Sequence, residues 1–169
     1  MKNNSVRQLT VGAIVAALYV ALTHLSNFFG LASGVIQIRL AEALSVLPLF
    51  FPGAVMGLPV GCLLANITTG CLPLDVVFGT LATGLGAAGC RLIAKSKLTT
   101  KTKIWLAPLP NIFFNTLIVP FVLIWVYEVE EVLPFLFLTV GVGEILSAGV
   151  LGYALITRFD KKLLKKFVQ

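Results

Sequence analysis

The sequence predicts an all-α integral membrane protein: one domain, residues 1–169, forming a compact bundle of six transmembrane helices with both termini cytoplasmic. Hydrophobic residues make up 58% of the chain and charged residues only 12%, whereas soluble domains carry roughly 25% charged residues. The apolar runs are continuous and do not alternate with polar residues, which argues against a β-barrel. At roughly 20 apolar residues per crossing, a chain of 169 residues accommodates six short helices and no soluble ATPase domain.

Polar and turn-forming segments divide the apolar runs and so define the predicted helices in order. A basic polar segment, residues 1–8, precedes the first helix, and the Pro-Gly pair at 52–53 separates the second from the third. A turn at 70–73 precedes the fourth helix, a basic loop at 95–103 the fifth, and an acidic turn at 128–131 the sixth. The predicted spans are residues 9–29, 36–51, 54–69, 74–94, 104–127 and 132–157.

The distribution of basic residues predicts the orientation of the bundle. With six spans, every Lys and Arg except Arg39 falls on the same side as the two termini. By the positive-inside rule that side is cytoplasmic. The net charge of +6 therefore reflects membrane topology and does not indicate a nucleic-acid partner. The basic tail after Phe159 is interpreted as a topology anchor that also attracts anionic lipid.

Polar side chains inside the apolar spans are the candidate binding residues. An ionisable group near the membrane centre costs at least roughly 2.5–3.5 kcal/mol, so each needs a partner, water or a ligand. Most of these residues are predicted to converge on the outer half of the bundle, which indicates an externally open polar pocket. The deepest is Glu144, whose structural alternative is a hydrogen bond to Asn115 or to a hydroxyl group. The candidates are Gln37, Arg39, Glu42, Asn66, Asp75, Asn111, Asn115 and Glu144.

Structural roles remain open for several of these residues. Arg39 and Glu42 are three positions apart on one predicted helix face and could simply neutralise each other. Asn66 could cap the end of a helix, and Asp75 could cap the start of the next or interact with its dipole. The sequence alone does not choose between these roles and ligand contact.

Small residues form two further patterns. Ala13, Ala17 and Ala21 recur every fourth residue on the first span, as a flat ridge that faces either another helix of the bundle or a partner subunit. Gly57 and Gly61 form a GxxxG pair that is best interpreted as internal helix packing.

Motifs for catalysis, metal binding and nucleotide hydrolysis are missing from the sequence. His24 is the single histidine, the three cysteines form no C-x-x-C pair, and there is no P-loop. We therefore expect a protein that is not an enzyme, with no catalytic residues, metal or cofactor, and with any ATP hydrolysis supplied by partners.

Several segments, in order along essentially the whole chain, resemble the QueT-type transporter family. The first is the run Ile-Gln-Ile-Arg-Leu-Ala-Glu-Ala-Leu at 36–44, followed by Val-Leu-Pro at 46–48. The other matching segments are residues 61–66, 75–83, 114–115 with 117–119, and 143–144. Together the segments are far more specific than any one of them.

This resemblance implies a substrate-binding S component of an energy-coupling factor (ECF) transporter for queuosine precursors, located in the plasma membrane of a prokaryote. S components are six-helix bundles that capture a small molecule near the outer face. Their partners are a transmembrane coupling subunit and two ATPase subunits. The family's first helix carries an AxxxA ridge that contacts this module, and Ala13, Ala17 and Ala21 match its position.

The candidate residues suit a 7-deazaguanine base. A carboxylate can accept the N1–H and the exocyclic amine as a bidentate pair, and amides can donate to the carbonyl oxygen. We expect Glu144 and Asn115 to read the base edge, and Glu42 or Asp75 to bind the substituent. Alternatives are an S component for another vitamin or purine-like solute, and a proton-coupled secondary transporter that uses Glu144. Three phenylalanines could stack on the ring: Phe28, Phe29 and Phe78.

Overall fold

The computed structural model describes residues 2–31 and 36–158, and this part of the chain is entirely helical apart from its connecting segments. The basic tail predicted to anchor the topology lies outside the described residues. The helices are α1 (Lys2–Phe28), a 3-10 helix (Leu40–Leu49), α2 (Ala54–Thr68), α3 (Pro73–Lys95), α4 (Thr100–Leu106), α5 (Leu109–Tyr127), α6 (Leu133–Glu144), a π-helix (Ile145–Leu151) and α7 (Gly152–Arg158).

In the part of the chain that the structure describes, four helical segments are long and apolar enough to cross a membrane, which confirms an all-α membrane protein. Their bounds are Asn4–Phe28, Pro73–Lys95, Thr100–Tyr127 and Leu133–Thr157. They correspond to the first, fourth, fifth and sixth predicted spans. The last segment runs through α6, the π-helix and α7 without a loop, since one helical hydrogen-bonding pattern passes directly into the next.

The second and third predicted spans are shorter than a full crossing. The predicted span 36–51 contains a helix, but residues 37–39 are not helical and the helix that follows them is a ten-residue 3-10 helix. A 3-10 helix rises about 2.0 Å per residue, so these ten residues extend about 20 Å rather than the 15 Å of an α-helix. The 15 residues of α2 also extend only about 22 Å, against a hydrocarbon core of about 30 Å.

The 3-10 helix occupies the centre of the bundle. Its three residues per turn align every third side chain in a row. Ala41, Leu44 and Leu47 form one such row and pack in a core cluster with residues of α1 and α2. Val46 and Leu49, in another row, pack in a second cluster with residues of α3 and α7. The helix therefore joins two cores, which explains why it is buried on nearly all sides.

Helices α1 and α2 approach closely along glycines, as the GxxxG pair predicts. A Cβ atom added at Gly57 would overlap the backbone oxygen of Gly12, and one at Gly61 would lie 2.7 Å from the Cβ of Tyr19. Internal packing of these glycines is thereby confirmed. The alanine ridge is not covered by this contact: Ala13, Ala17 and Ala21 are all exposed.

Candidate functional site

Two neighbouring cavities lie where α3 begins and α5 ends. We call them the Glu144 lobe, of about 160 Å³, and the Asp75 lobe, of about 330 Å³. Gln37 and Arg39 line both lobes, and so stand between them. Small-molecule sites are typically concave, apolar pockets with a few convergent polar groups, and the two lobes together fit that description.

The segment that carries Gln37 and Arg39 is held from both sides. The hydroxyl oxygen of Ser147, in the π-helix, accepts a hydrogen bond from the backbone N–H of Arg39 at 3.0 Å. The hydroxyl oxygen of Ser26, in α1, accepts one from the N–H of Leu40 at 2.9 Å. These bonds satisfy backbone donors that the start of a helix leaves without intrahelical partners. They also fix where the side chain of Arg39 enters the cavity.

A buried polar network backs the Glu144 lobe. The side-chain amide of Asn111 donates to the carboxylate of Glu42 at 2.9 Å and to that of Glu144 at 3.2 Å. Tyr19 donates its hydroxyl proton to the other oxygen of Glu42. The side-chain amide of Asn115 donates to the backbone oxygen of Asn111 at 3.1 Å. One amide thus bridges two carboxylates, and only Glu144 and Asn115 of this network reach the lobe itself.

Carboxyl groups outnumber basic groups at the site. Arg39 interacts electrostatically with Glu42, Glu144 and Asp75. In the described part of the chain, its guanidinium group makes no hydrogen bond to any of these carboxylates. One cation therefore faces three carboxyl groups in surroundings of low dielectric, where charge interactions are strong. Such a wall favours a ligand rich in hydrogen-bond donors or carrying a positive charge.

The Asp75 lobe is built differently. Asp75 accepts a hydrogen bond from the hydroxyl of Tyr127 at 2.8 Å, and the backbone N–H of Leu72 donates to the same hydroxyl at 3.4 Å. This contact joins the start of α3 to the end of α5. Asp75 is not the N-cap of its helix, since that position is Leu72; it lies in the first turn, where the helix dipole favours a carboxylate. The side-chain amide of Asn66 donates to the sulfur of Cys62 at 3.7 Å, whereas at the end of α2 it is the backbone oxygen of Asn66 that accepts a hydrogen bond, from the N–H of Cys71 at 3.0 Å.

Six of the eight predicted binding residues line the lobes. Gln37, Arg39, Asn115 and Glu144 line the smaller one, and Gln37, Arg39, Asn66 and Asp75 the larger one. Glu42 and Asn111 are 1% exposed and lie one layer behind the wall. The phenylalanines proposed for stacking, Phe28, Phe29 and Phe78, are exposed and line neither lobe.

Sequence reasoning missed several residues that build the site. Tyr19 and Tyr127 orient the two carboxylates Glu42 and Asp75, and Phe135 and Thr139 line the Glu144 lobe. A tyrosine within an apolar span is a weak signal, because tyrosine also occurs at membrane interfaces for its amphipathic ring. Only the hydrogen-bond partners identify these two tyrosines as part of the site.

Comparison with known proteins assigns the family. The sequence model of the QueT transporter family matches residues 9–161, most of the chain. The queuosine precursor transporter QueT of Lactococcus lactis subsp. cremoris (strain MG1363) is 32% identical over 83 residues, 49% of this chain and 48% of the relative. The alignment thus spans about half the length of this curated relative. No solved structure matches the chain. The family is one of transporters and not of enzymes, and the chain belongs to it: it is a member of the QueT transporter family.

Proposed function

We propose that the chain is the substrate-binding S component of an ECF-type importer that captures a queuosine precursor, a 7-deazaguanine base, for ATP-driven uptake. The observation that carries the proposal is the two-lobed cavity, with a carboxylate on each side of Gln37 and Arg39. The name of the Lactococcus relative, a queuosine precursor transporter, supports the substrate class.

The proposed topology has six crossings and both termini in the cytoplasm of a prokaryotic cell. Acidic residues of the α5–α6 turn lie at the cavity end of the bundle, with Glu131 lining the Glu144 lobe. Basic residues such as Arg91 and Lys95 lie at the opposite end of α3. This separation supports a cytoplasmic basic end, by the positive-inside rule, and a cavity that opens outside.

The proposed ligand contacts divide between the lobes. In the Glu144 lobe, Glu144 accepts the N1–H and the exocyclic amine of the base, while Asn115 donates to its carbonyl oxygen. The substituent extends past Arg39 towards Asp75, whose carboxylate binds an amine if one is present. Glu42 acts through Asn111, because its side chain is buried behind the wall, and it serves as a positioning residue.

The variant Glu144→Gln tests whether Glu144 binds the N1–H and the exocyclic amine of the base. The full-length chain in detergent is titrated by calorimetry with queuine, its aminomethyl and nitrile precursors, guanine and riboflavin. A hydrogen bond to a charged group contributes about 1.5–3 kcal/mol, so we expect the Kd for a deazaguanine to rise at least about tenfold.

The matched control is Glu130→Gln, the same chemical change at an exposed position outside both lobes. We expect its Kd to stay within about twofold of the wild-type value, a change in binding free energy well under about 1.4 kcal/mol. An unchanged Kd in a folded Glu144→Gln protein would contradict the role of Glu144. Binding of riboflavin but of no deazaguanine would contradict the substrate class.

Partner binding is proposed for the exposed alanine ridge. A leucine at Ala17 would hold another helix away from the flat surface. We expect Ala17→Leu to lose co-purification with the coupling and ATPase subunits while deazaguanine binding persists. Ala154→Leu, the same change at an exposed alanine of α7, is the control and should retain the complex. Equal retention by both variants would place the partner on another surface.

One observation favours a second candidate function, a proton-coupled secondary transporter. The carboxyl group of Glu144 is buried and lines the cavity, where it can take up and release a proton. Proteoliposomes that contain only this chain discriminate between the two functions. Uptake driven by a pH gradient would establish the secondary transporter, whereas uptake only with ATP and the partner subunits supports the S component.

A further inference from the structure

A third polar cavity, of about 270 Å³, lies at the opposite end of the bundle from the two lobes. It is formed by the start of α1, the 52–53 turn and the last turns of α3, and its polar lining comprises Asn4, Arg7, Gln8 and Arg91. We propose that this cavity, called here the arginine pocket, binds the phosphate group of an anionic phospholipid.

The donors of the arginine pocket suit a phosphate. Arg7 and Arg91 come from different helices and line one cavity because α1 and α3 both pack against the 3-10 helix. Each guanidinium carries five N–H donors in a planar fork that matches phosphate oxygens. One terminal nitrogen of the Arg91 guanidinium donates to the backbone oxygen of Pro48 at 3.4 Å. This bond orients the guanidinium group and leaves its other N–H donors available. The amides of Asn4 and Gln8 add further donors.

Within residues 2–31 and 36–158, no acidic side chain balances the positive charge of the arginine pocket. None of the described Asp and Glu side chains lines it. These residues are Glu42, Asp75, Glu128, Glu130, Glu131 and Glu144, which belong to the network behind the lobes, to the lobes, or to the α5–α6 turn. The two guanidinium groups share one cavity with the apolar side chains of Val11 and Phe50, and their like charges repel each other. An anion held between them removes that repulsion.

Its position favours a lipid as the source of that anion. Arg7 and Arg91 lie about one turn from the ends of α1 and α3, at the depth where headgroups meet the hydrocarbon core. Apolar side chains project outward nearby: Leu9 is 76% exposed, Met56 69% and Leu92 69%. These side chains would contact the acyl chains of a lipid whose phosphate occupies the pocket. Basic pockets between membrane helices bind anionic headgroups in this way.

The test measures lipid retention by the full-length chain in neutral detergent, by native mass spectrometry with added phosphatidylglycerol, phosphatidylcholine or glycerol 3-phosphate. The variant pair is Arg7→Gln with Arg91→Gln. The control pair, Lys97→Gln with Lys101→Gln, removes the same charge from exposed positions outside the pocket. We expect the apparent Kd for phosphatidylglycerol to rise at least tenfold in the arginine pair and less than twofold in the lysine pair, with phosphatidylcholine bound weakly throughout.

Three results would overturn the proposal. Equal losses in the two pairs would mean that general surface charge attracts the lipid. Equal retention of phosphatidylcholine would mean that the anionic headgroup is not recognised. Competition by glycerol 3-phosphate at the same concentration as the lipid would assign the pocket to a soluble phosphate. If the double variant does not fold, Arg7→Gln alone, at an exposed position, is compared with Lys97→Gln and is expected to show the larger loss.

Discussion

Asn111 is the residue on which the polar network behind the Glu144 lobe depends. Its side-chain nitrogen donates to both Glu42 and Glu144, while its side-chain oxygen has no hydrogen-bond partner among the described residues and faces Gly86. Removing the amide leaves two buried carboxylates without this shared donor. An unsatisfied buried polar group costs about 1–3 kcal/mol, and a charged one more.

We therefore expect Asn111→Ala to lower the free energy of unfolding by about 2 kcal/mol or more. Denaturation of the detergent-solubilised chain measures this loss. Glu42→Gln in the Asn111→Ala background should recover part of it, since one carboxylate becomes neutral. A coupling energy of about 0.5–3 kcal/mol in the double-mutant cycle would confirm the contact, and additive effects would show that the two side chains act independently.

At the scale of elements, the close approach of α1 and α2 depends on glycine. A Cβ atom at Gly57 would overlap the backbone oxygen of Gly12, whereas at Gly84 the nearest atom is the Cβ of Pro59 at 3.7 Å. Both glycines are inside helices, where alanine is favoured over glycine by about 0.8–1.0 kcal/mol. Alanine at either position gains the same helix propensity, but only at Gly57 does it meet a close backbone neighbour. A difference between the two variants therefore measures the effect of packing.

We expect Gly57→Ala to be destabilising and Gly84→Ala to be neutral or stabilising by up to about 1 kcal/mol. Thermal unfolding of both variants in the same detergent is the measurement. If Gly57→Ala were as stable as wild type, the backbones of α1 and α2 could not be in contact at this point.

At the scale of the whole molecule, the native cysteines report the proposed topology. Cys71 lines the Asp75 lobe and is half-buried, whereas Cys62 and Cys90 are 1% and 0% exposed. A membrane-impermeant maleimide added to intact cells is expected to label Cys71 and to spare the other two. Cys71→Ser combined with Lys97→Cys, which moves the thiol to the basic end, should be labelled only after permeabilisation. The opposite pattern would invert the orientation.

Much of the fold could be predicted from residue patterns. The apolar runs over 9–29, 74–94, 104–127 and 132–157 correspond to helical segments long enough to cross a membrane, because hydropathy over about 20 residues is a local property. The 3-10 helix at Leu40–Leu49 and the π-helix at Ile145–Leu151 escaped prediction. Their hydrogen-bond patterns depend on packing against neighbouring helices, which leaves little trace in local hydropathy.

The sequence by itself determined the class of protein, the charge asymmetry and six of the residues that line the cavity, since each follows from the cost of placing a polar group in a membrane. Only the tertiary structure decided which of these polar groups meet. Asn111 lies 69 positions from Glu42 and 33 from Glu144, and no local pattern relates residues so far apart. The same packing places Glu42 behind the wall, divides the cavity into two lobes and brings Arg7 to Arg91, because contacts between distant helices are set by how their surfaces fit together.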